Sequence, residues 1–289
     1  IQTFNPETLD AMKRPTNFIK FDQIMTMIQK WELPYSIDLI LGLPGDNLEG
    51  WKHSVREVMK YKPQRYQSFL CSILPGTEYD LNRKKYGIKT VHGSLMDDDE
   101  KVIQTSTFPM EDLALALNIE SWLYFTFSIN LCSKTIKVIA ERTQKDIFDV
   151  VNELMNWAED YGPAMSLAVS DYRGNLYDSR QQGRVEIETA IFRKFVEIHD
   201  ELHAFIDVQL NEDEIHDILD TELLTFPKNT NVIEILIDVG KIRPGENGTF
   251  VHERRDQSCW EYSPPQSDPI LGVIGTKYSY WTWTPQRIS

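Results

Sequence analysis

Ser36-Ile37-Asp38-Leu39-Ile40-Leu41-Gly42-Leu43-Pro44-Gly45-Asp46-Asn47 opens the stretch that decides the fold, and Tyr66-Gln67-Ser68-Phe69-Leu70-Cys71-Ser72-Ile73 closes it. The first run is short, apolar and β-branched around a single acid, Asp38, and glycine and proline break it off, which is the pattern of a buried parallel strand. Asp46 with Glu49 three residues later reads as a capping box for a helix whose Leu48, Trp51, Val55 and Val58 mark one apolar face. A second strand at about residues 66–73 completes a strand–turn–helix–strand unit. In sheets built from such units ligands sit at the carboxyl ends of the strands, here Leu43–Asn47 and Ile73–Thr77.

Working outward, Ile1–Phe4 reads as a strand end, and Pro6 opens a short helix with Leu9 and Met12 on its apolar side. Phe18, Phe21, Ile24, Ile28 and Trp31 recur at helical spacing until Leu33-Pro34 stops the pattern. After Pro75-Gly76-Thr77 a polar helix is expected to about Tyr86. The order β, α, α, β, α, β is that of about half a parallel (β/α) barrel, whose open edges something must cover. Ile1-Gln2-Thr3 looks like the inside of a strand, so the expectation is a piece of a longer protein that self-associates or is poorly soluble by itself.

With 289 residues, 41% of them hydrophobic, the chain can bury a large core and hold two domains. A net charge of −14 argues against general nucleic-acid or anionic-membrane binding. Lys13-Arg14 and Lys84-Lys85 are isolated basic pairs rather than a patch. No apolar run approaches the roughly 20 residues of a membrane span; the longest, Trp122–Leu131, reads as a buried helix end or a strand. Cys71, Cys132 and Cys259 are far apart, which suggests a reducing, cytoplasmic setting without a disulfide framework and offers no local iron–sulfur or zinc motif.

Ile1-Gln2-Thr3-Phe4-Asn5-Pro6-Glu7-Thr8-Leu9, Met12-Lys13-Arg14, Asp38-Leu39-Ile40-Leu41-Gly42-Leu43-Pro44-Gly45 and Leu74-Pro75-Gly76-Thr77, in that order, resemble the second half of a radical SAM (S-adenosylmethionine) barrel. The cobalamin-binding branch and the oxygen-independent coproporphyrinogen oxidase branch are the most similar. The resemblance covers roughly residues 1–90. It implies that Gln2 hydrogen-bonds the ribose or amino-acid part of S-adenosylmethionine and that Arg14 pairs with its carboxylate. It further implies that Asp38 binds the ribose hydroxyls, Ile40 touches the adenine, and Leu70 and Cys71 lie on the strand offering backbone edges to the adenine. A zwitterionic ligand with a diol and a flat base does need a cation, an acceptor and apolar walls. A structural alternative makes Asp38 and Arg14 a buried ion pair and Gln2 a polar residue of a barrel layer, with Ile40 and Leu70 as core. The three-cysteine motif that defines the family and the glycine-rich strand end are absent from this chain, and Asp46-Asn47 stand where many relatives have Glu, Gln or Thr. A 4Fe-4S cluster, and cobalamin if the parent protein uses it, are therefore expected to be held upstream.

Residues 91–108 read as a polar, acidic surface linker (Asp97-Asp98-Asp99-Glu100), where many relatives place a substrate loop. Helices are expected over Met110–Phe127, Ile136–Tyr161, Gln182–Val208 and Glu212–Leu224, the last capped by Asn211 with Glu214. His199-Asp200-Glu201-Leu202-His203 sets two imidazoles at i and i+4, the spacing of a helical metal pair. The zinc-protease pattern has Glu where this chain has Asp200, and no third ligand is indicated, although Asp207 continues the same face. The pair reads as a polar helix face beside Ile191, Phe195, Leu202 and Ile206. From Thr230 onward Val232–Val239, Gly248–His252 and Ile270–Thr284 have strand character, and Tyr278-Ser279-Tyr280-Trp281-Thr282-Trp283 reads as a half-buried terminal strand or an aromatic stacking wall.

The expected organisation is α/β: a half barrel over residues 1–92, a helical accessory domain over 93–228 and a short-strand tail over 229–289. The leading functional expectation is the C-terminal portion of a radical SAM enzyme doing methyl transfer or related C–H chemistry on a small-molecule or peptide substrate, completed by the upstream half of the same polypeptide. The alternatives are a non-cobalamin relative of porphyrin or methylthio-transfer type and a non-catalytic partner-binding module.

Overall fold

A computed structural model of the chain describes residues 1–31, 33–63, 65–92, 100–129, 131–175, 191, 194–210, 212–225, 243–244, 250–253, 259–263 and 284–288. The protein is mixed α/β and mostly helical, with small sheets. Its decisive unit is the expected one. β1 (Ser36–Leu41) and β2 (Arg65–Leu70) pair in parallel, Ile40 opposite Phe69, and α3 (Leu48–Lys60) crosses between them. α3 buries Trp51, Val55, Val58 and Met59 against the sheet, an apolar stripe at i, i+4, i+7 and i+8. α1 (Pro6–Ala11) and α2 (Phe18–Lys30) precede this unit. Residues 1–4 are not a regular strand, yet they run beside β1, where Ile40 N–H donates to the Gln2 carbonyl at 2.9 Å.

The expected capping box is displaced by one residue. Asn47 is the N-cap of α3, its side chain accepting from Gly50 N–H, while Asp46 is buried and accepts from Asn5 Nδ2 and from Asn47 N–H, each at 2.9 Å. Asp46 thus locks the start of α3 to the start of α1. The clasp requires glycine at position 50, because a Cβ there would lie 2.3 Å from Asp46 Oδ1 and 2.4 Å from Asn5 Nδ2. Gly45 serves the same turn with φ +92°, a left-handed conformation that glycine adopts without strain.

The second strand is shorter than expected. β2 ends at Leu70, and after Cys71 the chain turns into β3 (Ser72–Ile73), which pairs antiparallel with β5 (Glu100–Gln104). The expected polar helix is two single turns, α4 (Glu78–Leu81) and α5 (Arg83–Tyr86), closed by Gly87 in the left-handed region. The expected linker contains a hairpin, β4 (Lys89–His92) with β5. Its acidic residue Glu100 is held by the Arg83 guanidinium fork at 2.5 and 2.9 Å and by Thr90, so it is structural rather than solvated; residues 93–99, including Asp97, Asp98 and Asp99, lie outside the described residues.

The helical part begins with α6 (Met110–Leu123), which widens into a π turn over Tyr124–Ser128, so the apolar run from Trp122 is a buried helix end. Ile136–Tyr161 is two helices: α7 (Ser133–Thr143) stops where Gln144 takes φ +56° and Lys145 N–H bonds back to the Ala140 carbonyl, and α8 (Ile147–Tyr161) starts with Asp146 as its cap. α9 (Pro163–Asn175) was not anticipated; α10 (Phe195–Gln209), which falls within the expected Gln182–Val208 apart from its last residue, and α11 (Asp213–Thr225), one residue later than expected, were. The expected cap Asn211 and residues 182–190 lie outside the described residues. Two long-range carboxylates satisfy helix starts. Glu201 of α10 accepts from Ala164 and Met165 N–H, each at 2.8 Å, and Glu222 of α11 from Lys134 N–H at 2.6 Å and Thr135 N–H at 2.8 Å. Near the C-terminus β6 (Arg243–Pro244), β7 (Phe250–Glu253), β8 (Cys259–Ser263) and β9 (Thr284–Ile288) form an antiparallel sheet in that order. β6, β8 and β9 were not foreseen as strands of their own; Val232–Val239 and residues 270–283 of the expected last strand, with Tyr278–Trp283 among them, lie outside the described residues. No helix of the described residues is long and apolar enough to cross a membrane.

One buried cluster runs from Phe4, Leu39 and Trp51 through Phe108, Leu123 and Leu154 to Phe205 and Leu219, so the sheet and the helices share a core. The joint between them is Glu120 of α6. It is buried and accepts from Tyr66 Oη at 2.8 Å and from Ser68 N–H at 2.9 Å. Beside it Ser128 Oγ donates to the Tyr66 carbonyl. These side chains occupy the outer edge of β2, where a further strand would pair.

Burial pushes the Glu120 carboxyl up to about 8, against the pull of the Tyr66 and Ser68 hydrogen bonds. A carboxyl raised in the folded state favours the neutral form, so its contribution is full below its ordinary value of 4.5 and is lost as pH rises toward 8. Glu120→Gln removes the charge and can hold both partners, its Oε1 accepting from Ser68 N–H and its Nε2 donating to Tyr66 Oη in a reversed hydrogen bond. Its melting temperature should match the parent's near pH 4.5 and exceed it at pH 8, by the equivalent of a few kcal/mol at about 1.4 kcal/mol per pKa unit. Parallel pH profiles for the two proteins would contradict this role.

Candidate functional site

The alternation of β1 and β2 gives the sheet a packed face and an open one. Ile37, Leu39 and Leu41 with Tyr66, Ser68 and Leu70 are buried, while Asp38, Ile40 and Phe69 look the other way. On the open side, at the carboxyl ends of both strands, lies a cleft of about 460 Å³. Gln2, Arg14, Ile40, Leu70 and Cys71 all line it, with Phe69 and Tyr79. The volume is within the roughly 300–1,000 Å³ of small-molecule sites.

Arg14 Nη1 donates to Gln2 Oε1 at 2.9 Å, which places a cation and an amide together at one side of the cleft. Asp38 is exposed in an adjoining cavity of about 450 Å³ that shares Gln2, Ile40 and Phe69 with the first. The alternative of a buried Asp38–Arg14 pair is therefore not what forms: Arg14 takes Gln2 as its partner, and Asp38 stays accessible. Across the mouth Lys13 Nζ and Glu78 Oε2 form an exposed ion pair at 2.9 Å, which raises the lysine and lowers the acid.

The expectation for Leu70 needs refining. Its side chain is 8% exposed and belongs to the main core, whereas Phe69, the register partner of Ile40, is 49% exposed and presents its ring to the open side. The period of two in Tyr66-Gln67-Ser68-Phe69 carries that signal once the packed face is known. Cys71 is a buried thiol packed with Leu43, Ile73 and Val102, and its N–H donates to the Leu41 carbonyl at 2.8 Å while its carbonyl accepts from Val102 N–H at 2.9 Å, so the strand edge expected to face the adenine is already paired at this residue. Tyr79 was not anticipated. Its hydroxyl is shut off from solvent without a hydrogen-bond partner among the described residues, and burial pushes it up to about 12, so it stays neutral.

An iron–sulfur cluster does not fit the cysteines described here. Cys71 and Cys132 are buried in separate apolar clusters, and burial, then the nearby Glu222 charge, holds the Cys132 thiol well above its ordinary range. Comparison of the chain with models of protein families and with curated proteins finds no match. Anaerobic reconstitution of this chain with iron and sulfide should leave no stoichiometric iron by colorimetric assay, whereas several irons per chain would mean that its cysteines converge on a cluster.

Proposed function

We propose that the cleft beside β1 and β2 binds S-adenosylmethionine and forms one wall of a radical SAM active site, the cluster being supplied by sequence outside this chain. One observation carries the reading: Gln2, Arg14, Ile40 and Cys71, far apart in sequence, line one cleft at the carboxyl ends of parallel strands, with Asp38 on the same open face. The first ninety residues are on this reading the second half of a partial barrel, closed at β2 by Glu120 and Ser128.

The residues divide the ligand between them. The Arg14 guanidinium takes the carboxylate of the amino-acid part, and Gln2 fixes the guanidinium and offers its amide to the same group. Asp38 accepts from the ribose hydroxyls in the adjoining cavity. Ile40 and Phe69 give the adenine an apolar surface, and the strand end at Leu70 and Cys71 bounds the space left for the base. Bound to a cluster, S-adenosylmethionine supplies the radical chemistry, with methyl transfer or a related C–H reaction as the activity; this chain contributes orientation and exclusion of water.

Equilibrium dialysis of the full-length polypeptide with labelled S-adenosylmethionine tests the reading. Asp38→Ala and Arg14→Ala should each raise Kd at least about tenfold, because a charge-assisted hydrogen bond contributes roughly 1.5–3 kcal/mol. Both residues are exposed, so melting temperatures should stay near the parent's. Unchanged affinity in both variants would remove the assignment.

A further inference from the structure

The two histidines of α10 are not alone on their helix face. α11 packs against α10 and brings His216 and Asp220, themselves four residues apart, against His199 and His203. His199 Nε2 and His203 Nε2 lie 3.0 and 2.8 Å from the same Asp220 Oδ1 and 3.3 Å from each other. Three donor atoms from two helices thus converge on one small triangle. On the far side of His203, its Nδ1 meets His216 Nδ1 at 2.6 Å, the two rings stacked at 7°, and Asp207 Oδ1 stands 2.9 Å from His216 Nε2, somewhat off the ring N–H axis.

We propose that His199, His203 and Asp220 form a binding site for a divalent transition metal, with zinc the best match, and that His216 and Asp207 orient the ligands from behind. Two imidazoles and one carboxylate are a donor set that zinc accepts, leaving a further position for water. A tetrahedral shell with bonds of about 2.0–2.1 Å sets neighbouring donor atoms roughly 3.3 Å apart. The triangle reaches that size if Asp220 withdraws by a few tenths of an ångström. Access exists because the His199 side chain is 13% exposed at the edge of the otherwise buried group.

Proton bookkeeping along the chain of rings agrees with the geometry. A cation on the two Nε2 atoms leaves each neutral ring its hydrogen on the other nitrogen. His203 Nδ1–H then donates to His216 Nδ1, and His216 Nε2–H is left to face Asp207. The site would clamp α10 to α11, the helices whose Glu201 and Glu222 cap α9 and α7. It is independent of the reading of the cleft.

The test is a zinc titration of chelator-treated protein, followed by calorimetry and by melting temperature. One zinc per chain should bind, with a higher melting temperature than the metal-free protein. His199→Gln and Asp220→Asn should weaken zinc binding at least about a hundredfold, and Asp207→Asn about tenfold, as expected for a ligand and for a group behind one. Should Asp220→Asn fail to fold, His199→Gln, at the exposed edge, decides. Absence of zinc uptake by the parent protein, or uptake at full affinity by a folded His199→Gln variant, would overturn the site.

Discussion

A two-stranded parallel sheet has two edges and two faces to satisfy, and the outer edge of β2 is where this molecule commits itself. Ser68 N–H and the Tyr66 carbonyl point away from β1, and in a continuing sheet they would meet another strand. Here Glu120 of α6 and Ser128 of the π turn that follows it take those bonds instead. The sheet stops, the helices that follow are drawn onto its packed face, and the chain leaves β2 through Cys71 into a separate antiparallel hairpin. A buried carboxyl is an expensive way to finish an edge. It is tolerable because its neutral form is favoured and both oxygens are engaged.

Closing one edge and one face leaves the other face open. The open side carries an acid, an isoleucine and a phenylalanine in register, with Arg14 and Gln2 beyond the strand ends. Polar recognition and apolar surface are thus supplied by different parts of the chain. Arg14 is delivered by the turn after α1, and that turn is fixed by the Asn5–Asp46 clasp and by the ion pair between Lys13 and Glu78. The geometry of the cleft therefore rests partly on a buried clasp behind it and partly on an ion pair at its mouth.

Much of this was legible because it is local. The strand–helix–strand unit follows from a β-branched run, a Gly-Pro break and an amphipathic stripe, all within forty residues. The helix breaks at Gln144 and the start at Asp146 have chemistry visible in sequence, a polar run ending in a capping residue, though the long apolar periodicity around it masks the join. What could not be read is what the fold brings from a distance. Asp46 looks like a helix cap until Asn5 claims it. Glu100 looks like part of a solvated acid run until Arg83 grips it. The third donor beside His199 and His203 is not Asp207, the next acid on the same helix, but Asp220 on the following one. Periodicity along one helix cannot show which face of its neighbour it meets.

The claim that the open face of β1 and β2 is the ligand face is tested most directly by hydrogen–deuterium exchange of the full-length polypeptide with and without S-adenosylmethionine. Added protection should concentrate in the peptides that hold Gln2–Arg14, Asp38–Leu43 and Phe69–Tyr79, with little change in α7 through α11. Protection confined to the helical part, or none at the strand ends while the ligand is bound, would contradict it.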